Sequence, residues 1–270
     1  VHDAPSEERF IELRALIGTT AQLTFQPVIN RTPDASAAPG ARQELLPALD
    51  EEGAIGGVVE DLRAVQVDHS SLVSEIVVVD NGSVDATAQR ASDAGATVVV
   101  ERERGYGAAC LRAIEYLSAS PPDVVAFVDG DGSNYADELP ALLMPIGAGE
   151  ADLVVGSRVR RAEPGSLTPA QRFGNALATR IMNRVYGASF TDLGPFRALT
   201  WGCLTDLRME DRNYGWTVEM QLKAVKHGWR CAEVDVGNRS RVAGRSKVAG
   251  TLRGVTGAGT KILWTLARYR

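Results

Sequence analysis

From residue 45 to about residue 236, short β-branched runs alternate with segments of helical length, and this alternation leaves few folds open. Residues 75–80, 96–100, 123–129 and 152–156 read as strands, and residues 83–94, 107–118 and 136–145 read as helices between them. The strands are apolar at consecutive positions, so both of their faces are buried. Such strands interleaved with helices predict an α/β domain, a mostly parallel central sheet flanked by helices. Ligands of these sheets bind beyond the carboxyl ends of the strands. Two of the strands carry an aspartate there, Asp80 and Asp129.

The 270 residues are 44% hydrophobic and 23% charged, too apolar for a chain that stays disordered. No run approaches the ~18 consecutive apolar residues of a membrane span. The opening residues, acidic and polar, show no secretory signal. Cys110, Cys203 and Cys231 lie far apart and predict reduced thiols in a cytosolic compartment. His2, His69 and His227 are too few for a histidine-rich zinc site. Charge is uneven along the chain. Residues 226–270 hold ten basic and two acidic side chains, +8 within a net charge of −5. A basic end on an acidic body points to an anionic partner. The segment lacks the interleaved aromatics and modules of nucleic-acid binding, which leaves a membrane surface or a phosphorylated lipid as the better fit.

After Ser157 the pattern changes. Residues 158–168 read as a basic loop, 169–186 as a helix with proline in its first turn, and 193–197 as a turn or short strand. Residues 216–227 read as a helix and 229–236 as a last strand. Residues 238–250 read as a mobile glycine-rich basic loop, and 251–269 as an amphipathic helix carrying Ile262, Leu263, Trp264 and Leu266. Three regions follow: an atypical N-terminal extension and linker at 1–43, an α/β domain at 44–236, and a basic loop with a C-terminal amphipathic helix at 237–270. Within the extension, residues 32–40 are linker-like. Residues 16–30 resemble a stretch of the SecD subunit of the bacterial export translocase, too short a match to carry a function.

Chemistry concentrates in Asp129-Gly130-Asp131-Gly132-Ser133. Two carboxylates two residues apart, directly after a strand, place hard oxygen ligands at the sheet edge, where they suit Mg²⁺ or Mn²⁺ together with substrate phosphates. A solvated Asp-Gly turn is the plainer alternative. Asp80 ends a second strand, and Ser83 and Asp85 read as caps of the helix that follows. The Gly-x-Gly of Arg104-Gly105-Tyr106-Gly107 is no dinucleotide fingerprint, because Cys110 stands at the third glycine position and residues 101–104 separate it from the strand.

Taken together, residues 47–51, 80–87, 104–108, Asp129-Gly130-Asp131, Gly156-Ser157-Arg158 and Gly244-Arg245-Ser246-Lys247 resemble, in order, the motifs of family 2 glycosyltransferases of the GT-A fold. Within that family the resemblance is to the dolichyl/polyprenyl-phosphate mannosyl- and glucosyltransferases, over about residues 45–270. It implies that Asp129 and Asp131 hold a divalent cation, Mg²⁺ or Mn²⁺, against the donor diphosphate, and that Pro47, Leu49, Glu51, Asp80 and Arg104 line the nucleotide site. Arg158, Arg172, Arg245 and Lys247 would bind the donor diphosphate or an acceptor phosphate, and Asp192 would act as a base or as an orienting group. Leu49 and Asp50 stand where the family commonly has Tyr-Asn, Asn81 replaces the second Asp of Asp-Asp-Gly-Ser, and Ser133 stands where a Gln can assist the metal. Gln43 and Glu44 occupy apolar positions, which predicts a short first strand.

The function implied is metal-dependent, inverting transfer of mannose or glucose from a GDP- or UDP-sugar to a polyprenyl phosphate, by a cytoplasmic enzyme peripheral on the inner membrane face. A lipid phosphate is already anionic and needs cations rather than a base. A sugar hydroxyl acceptor would need a carboxylate base, Asp192 or Glu219. Transfer to such a soluble acceptor, and a non-catalytic nucleotide-sugar-binding or membrane-docking module, are the alternative readings. Glu219 also reads as a partner of Lys223 one helical turn on, Arg172 and Arg197 as surface cations, and Tyr214, Trp216 and Trp264 as packing aromatics.

Overall fold

The computed structural model describes residues 42–67, 69–243 and 252–269, so most of the expected N-terminal extension and the segment bearing Arg245 and Lys247 lie outside the described residues. Nine strands and eight α-helices are described: β1 (Arg42–Ala48), α1 (Ile55–Ala64), β2 (Gln66–Val67), β3 (Ser70–Ser71), β4 (Glu75–Asp80), α2 (Thr87–Asp93), β5 (Thr97–Val100), α3 (Tyr106–Leu117), β6 (Val124–Phe127), α4 (Leu139–Gly147), β7 (Leu153–Ala162), α5 (Pro169–Tyr186), β8 (Arg197–Thr200), α6 (Trp201–Asp206), α7 (Trp216–Lys226), β9 (Cys231–Asn238) and α8 (Leu252–Arg268). Seven strands form one sheet in the order β5-β4-β1-β6-β8-β7-β9, with β8 alone antiparallel to its neighbours. The expected mostly parallel α/β sheet is therefore present.

Successive residues of a strand face opposite sides of the sheet, and each side here has its own core. Leu45, Val77, Val79 and Phe127 pack under α3, α5, α6 and α7, while Leu46, Val78, Ala126 and Val128 pack under α1, α2 and α4. The apolar residues of both layers are buried, as the consecutive apolar runs require.

Local signals set the ends of α5. Thr168 and Gln171 form a capping box, Pro169 opens the first turn, and Gly187 closes the helix in the left-handed conformation at φ 68°. Elsewhere long-range partners override the local reading. The second helix starts at Thr87 rather than residue 83, because Ser83 bonds across to the Asp50 amide instead of capping it. Residues 158–162, read as loop, continue β7 because Arg161 and Ala162 pair with Gly237 and Asn238 of β9. The first strand is full length and central, between β4 and β6, despite its polar residues. The Gln43 side-chain nitrogen donates to Glu75, which also accepts from Thr97 and Tyr116. Glu44, on the other face, is wholly buried and its carboxyl has no hydrogen-bond partner among the described residues. Burial pushes that carboxyl up to about 8.

Candidate active site

Because β1, β4, β5 and β6 run parallel, the loops that follow them meet at one edge of the sheet. Hydrogen bonds tie these loops together. Asp50 adopts a left-handed φ of 50°, a conformation that Asn and Asp tolerate best, which accounts for an Asp where the family commonly has Asn. Its carboxylate accepts from the Val84 amide at 2.9 Å, and its own amide donates to Ser83 at 3.0 Å. Asp80 accepts from the Ser83 amide, and the exposed Arg104 donates to the carbonyl of Gly82.

Asn81 explains its own departure from the motif. Its amide donates to the carbonyls of Glu101 and Glu103 (3.2 and 2.7 Å) and accepts from the Gly105 amide (2.7 Å). A carboxylate has no donor for those carbonyls. The neighbouring Gly-x-Gly also has a packing reason: a Cβ at Gly105 or Gly107 would collide with the backbone of Arg212 or Asp211, on which α3 rests.

The acidic pair lies in the loop after β6. Asp131 is buried and accepts from the Ser133 amide at 2.9 Å; the Asp129 amide donates to Asn134. Burial, followed by the field of Asp131, pushes the Asp129 carboxyl up to about 7, while Arg158, Arg241 and Arg197 act in the opposite sense. Two carboxylates that share burial and each other's field call for a cation, and their hard oxygens fit a divalent one. The structure already sets a cation against them. Arg241 bridges Glu51 at 3.0 Å and Asp131 at 2.9 Å, and so joins the loop after β1 to the loop after β6.

Beyond Arg158 lies a cavity of about 1010 Å³ between β7, α5 and α8. Arg158, Arg172, Arg180 and Arg184 line it together with the apolar Leu167, Phe190 and Ile262. Asp129 and Asp131 are not in its wall, but the charge of Arg158, which is, reaches Asp129. Asp192 is almost wholly buried and accepts three bonds of 2.8 Å from Arg158: from its backbone amide, Nε and Nη2. Burial alone would raise the Asp192 carboxyl, but the bonds from Arg158 outweigh it and hold it below the ordinary carboxylate range. Both Asp192 oxygens are thus engaged by Arg158.

Several side chains depart from the sequence reading. Arg197 is no surface cation: it is 1% exposed and donates to the carbonyls of Leu193, Gly194 and Thr217, and burial pushes it down to about 10. Glu219 does pair with Lys223, at 2.7 Å, and also receives the amides of Glu210 and Asp211 and the hydroxyl of Tyr269. Those bonds commit it to holding a loop and the end of α8. Trp216 packs on Phe127, whereas Trp264 is 48% exposed between Lys261 and Arg268 and is not core. Arg241 was not singled out by sequence reasoning; its one signal is membership of the basic segment after the last strand.

Among the comparisons with known proteins, the model of the family described as "Glycosyl transferase family 2" matches residues 45–200. An uncharacterized glycosyltransferase of Mycobacterium tuberculosis is 37% identical over 211 residues, covering 78% of this chain and 90% of the relative. The undecaprenyl-phosphate mannosyltransferase of Micrococcus luteus is 30% identical over 218 residues, covering 73% of this chain and 87% of the relative. Among solved structures, the glucosyl-3-phosphoglycerate synthase of Mycobacterium tuberculosis in complex with Mn²⁺, uridine diphosphate and glucosyl-3-phosphoglycerate superposes with a TM-score of 0.69 at 25% identity, covering 86% of this chain and 80% of that one.

Proposed function

The chain belongs to the family 2 glycosyltransferases and has the GT-A fold of its structural neighbours, and on that premise we propose that it transfers a hexose, glucose or mannose, from a UDP- or GDP-sugar to a polyprenyl phosphate at a membrane surface. One observation carries the choice of acceptor. The helices α5 and α8, which flank the cavity, contain no Asp or Glu and six basic residues in a chain of net charge −5. Their outer faces expose Phe173, Leu177, Val185, Leu263 and Trp264. Basic side chains among exposed apolar ones suit an anionic lipid surface, with Trp at the interfacial level. No described helix is long and apolar enough to cross a membrane, so contact through these faces is peripheral.

Asp129 and Asp131 would hold the divalent ion, Mg²⁺ or Mn²⁺, and Pro47 and Asp80 at the ends of β1 and β4, with Leu49, Glu51 and Arg104 on the loops beyond the strands, would take the nucleotide. When bound, the ion neutralises the donor's diphosphate as it becomes the leaving group. Arg158 and Arg172 bring the acceptor phosphate into the cavity, and Asp192 fixes the Arg158 guanidinium through its paired bonds. A phosphate oxygen then forms the new bond to the anomeric carbon from the face opposite the diphosphate. The bond from that carbon to the diphosphate oxygen breaks, and the nucleoside diphosphate departs with the electron pair. The attacking oxygen is already anionic, so no side chain removes a proton.

Transfer to the hydroxyl of a soluble, phosphate-bearing acceptor is the second reading, favoured by the likeness to glucosyl-3-phosphoglycerate synthase, since the same arginines would hold the phosphate of a phosphoglycerate. Incubation of the protein with radiolabelled UDP-glucose or GDP-mannose, Mn²⁺ and either undecaprenyl phosphate or 3-phosphoglycerate separates the two. Label in the organic phase is expected. Label confined to a water-soluble phosphoglycerate product would overturn the lipid reading.

A further inference from the structure

The segment that leaves β9 does not run out into solvent. It turns back over the loop that carries the acidic pair. The Arg239 amide donates to the Ser133 carbonyl at 3.0 Å, Arg239 Nε donates to the Gly132 carbonyl at 2.7 Å, and its guanidinium lies 5.0 Å from the Tyr135 ring centre. Three residues on, the Val242 amide donates to the backbone carbonyl of Asp131 at 3.1 Å. Gly132, at φ 73°, admits this approach, for a Cβ there would lie 2.7 Å from Val242. Arg241 is thus held from both sides, and its fork spans Glu51 Oε1 and Asp131 Oδ2, two carboxylates that are each more than nine-tenths buried.

We propose that Arg241 is the resident counter-cation of the donor site: in the donor-free enzyme it occupies the Asp131 oxygen needed by the divalent ion, and it is exchanged for that ion only when a nucleoside diphosphate arrives to receive it. The inference rests on the metal assignment above and adds a residue and an order of binding to it. Asp131 Oδ1 is already taken by the Ser133 amide and Oδ2 by Arg241. An incoming divalent ion must therefore displace a charge-assisted bond and then sit beside the displaced positive charge. A diphosphate removes both penalties, because it gives the ion further oxygen ligands and gives the guanidinium a planar two-oxygen partner. Ion and nucleotide then bind with strong positive coupling, and by linkage each raises the other's affinity by the same factor. The hydrolysis-prone donor complex is completed only when both are present.

The experiment measures Mn²⁺ affinity directly, from the electron paramagnetic resonance signal of free Mn²⁺ titrated with the full chain, with and without UDP. Wild-type protein is expected to bind Mn²⁺ weakly alone and at least about tenfold more tightly with UDP. Arg241→Gln, which removes the charge and leaves a shorter polar side chain, is expected to bind Mn²⁺ at least about tenfold more tightly than wild type in the absence of UDP, and to lose most of the coupling. Arg241→Lys retains the charge and is expected to stay close to wild type, which separates competition from a general loosening of the loop. Unchanged or weaker Mn²⁺ binding by Arg241→Gln without UDP overturns the exchange. Asp131→Asn tests the underlying assignment separately. If it abolishes Mn²⁺ binding while Arg241→Gln changes nothing, only the counter-cation role fails; if it binds Mn²⁺ like wild type, the metal assignment fails with it.

Discussion

Arg158 and Asp192 lie fork to fork, with Nε and Nη2 of the guanidinium each 2.8 Å from a different carboxylate oxygen and the Arg158 amide adding a third bond of 2.8 Å. The pair sits where the cavity approaches the acidic cleft, and Nη1 takes no part in the fork. What Asp192 supplies is the direction in which Arg158 offers its remaining hydrogens.

Removing the carboxylate should therefore cost both stability and acceptor use. Breaking a buried ion pair from one side typically costs about 3–5 kcal/mol, and Asp192→Asn, which keeps the shape, is expected to fall near the lower figure in urea unfolding at neutral pH. The folded-state pKa of Asp192 is depressed, so its contribution is present above the unfolded value of about 4 and is lost as pH falls through the lower folded value. The stabilities of variant and wild type should converge in acid. In steady-state assays the loss should appear mainly as a raised KM for the phosphate acceptor, with the KM for the donor little changed.

Asn81 offers a cleaner test of a motif departure. Asp at this position would restore the family's usual sequence but set a carboxylate against two carbonyls that now receive N–H bonds. Leaving such part-buried acceptors unpaired costs up to about 1–3 kcal/mol, and more when the intruding group is charged. Asn81→Asp is expected to lower stability by at least about 2 kcal/mol at neutral pH and to recover part of it in mild acid as the new carboxyl protonates. Chemical denaturation at the two pH values reads both effects.

The buried carboxyl of Glu44 works in the opposite direction to that of Asp192. Its folded pKa is raised to about 8, so between the unfolded value near 4.5 and that figure the native state holds a proton that the unfolded chain has released. Stability should decline as pH rises through this window and level off above it. Glu44→Leu, close in volume and without an ionisable group, should remove the decline. The melting temperatures of the two proteins should differ more at pH 9 than at pH 5. A parallel shift at both values would show that Glu44 is not the group responsible.

The same contrast governs how much of the molecule its sequence discloses. The ends of α5 are written in Thr168, Pro169, Gln171 and Gly187, because capping is a local matter. Strand type and sheet class follow from runs such as Ile76-Val77-Val78-Val79, whose burial on both faces needs no knowledge of partners. The start of α2 escapes local reading because Asp80 holds the Ser83 amide, Ser83 accepts from the Asp50 amide, and Asp85 accepts from the amides of Glu52 and Thr87. The extension of β7 needs β9 beside it, and the burial of Arg197 needs the carbonyls of Leu193, Gly194 and Thr217 gathered around it. The acidic pair is legible as chemistry at residues 129–131, whereas the cation facing it comes from 110 residues further on, and no local pattern announces that meeting.

The exposed faces of α5 and α8 lead to a last expectation. α8 is fixed to the body by Lys261 on Asp211, Arg268 on Glu210 and Lys226 on the Tyr269 carbonyl, so Leu263 and Trp264 face outward from an anchored helix rather than from a loose tail. Phe173, 71% exposed, and Leu177 stand on the neighbouring helix with Arg180 and Arg184 close by in sequence. Each basic group near an anionic leaflet contributes about 1 kcal/mol, and burying a large apolar side chain adds about 1.5–3 kcal/mol. The protein should therefore float with vesicles containing phosphatidylglycerol and remain behind with phosphatidylcholine alone. Phe173→Ser with Trp264→Ser should weaken flotation by at least about tenfold, since the apolar part alone exceeds 1.4 kcal/mol. Neither substitution touches the acidic pair or the Arg158–Asp192 fork, so hydrolysis of the donor in solution should be retained. Equal flotation with both kinds of vesicle, or none with either, would assign these two faces to something other than an anionic membrane.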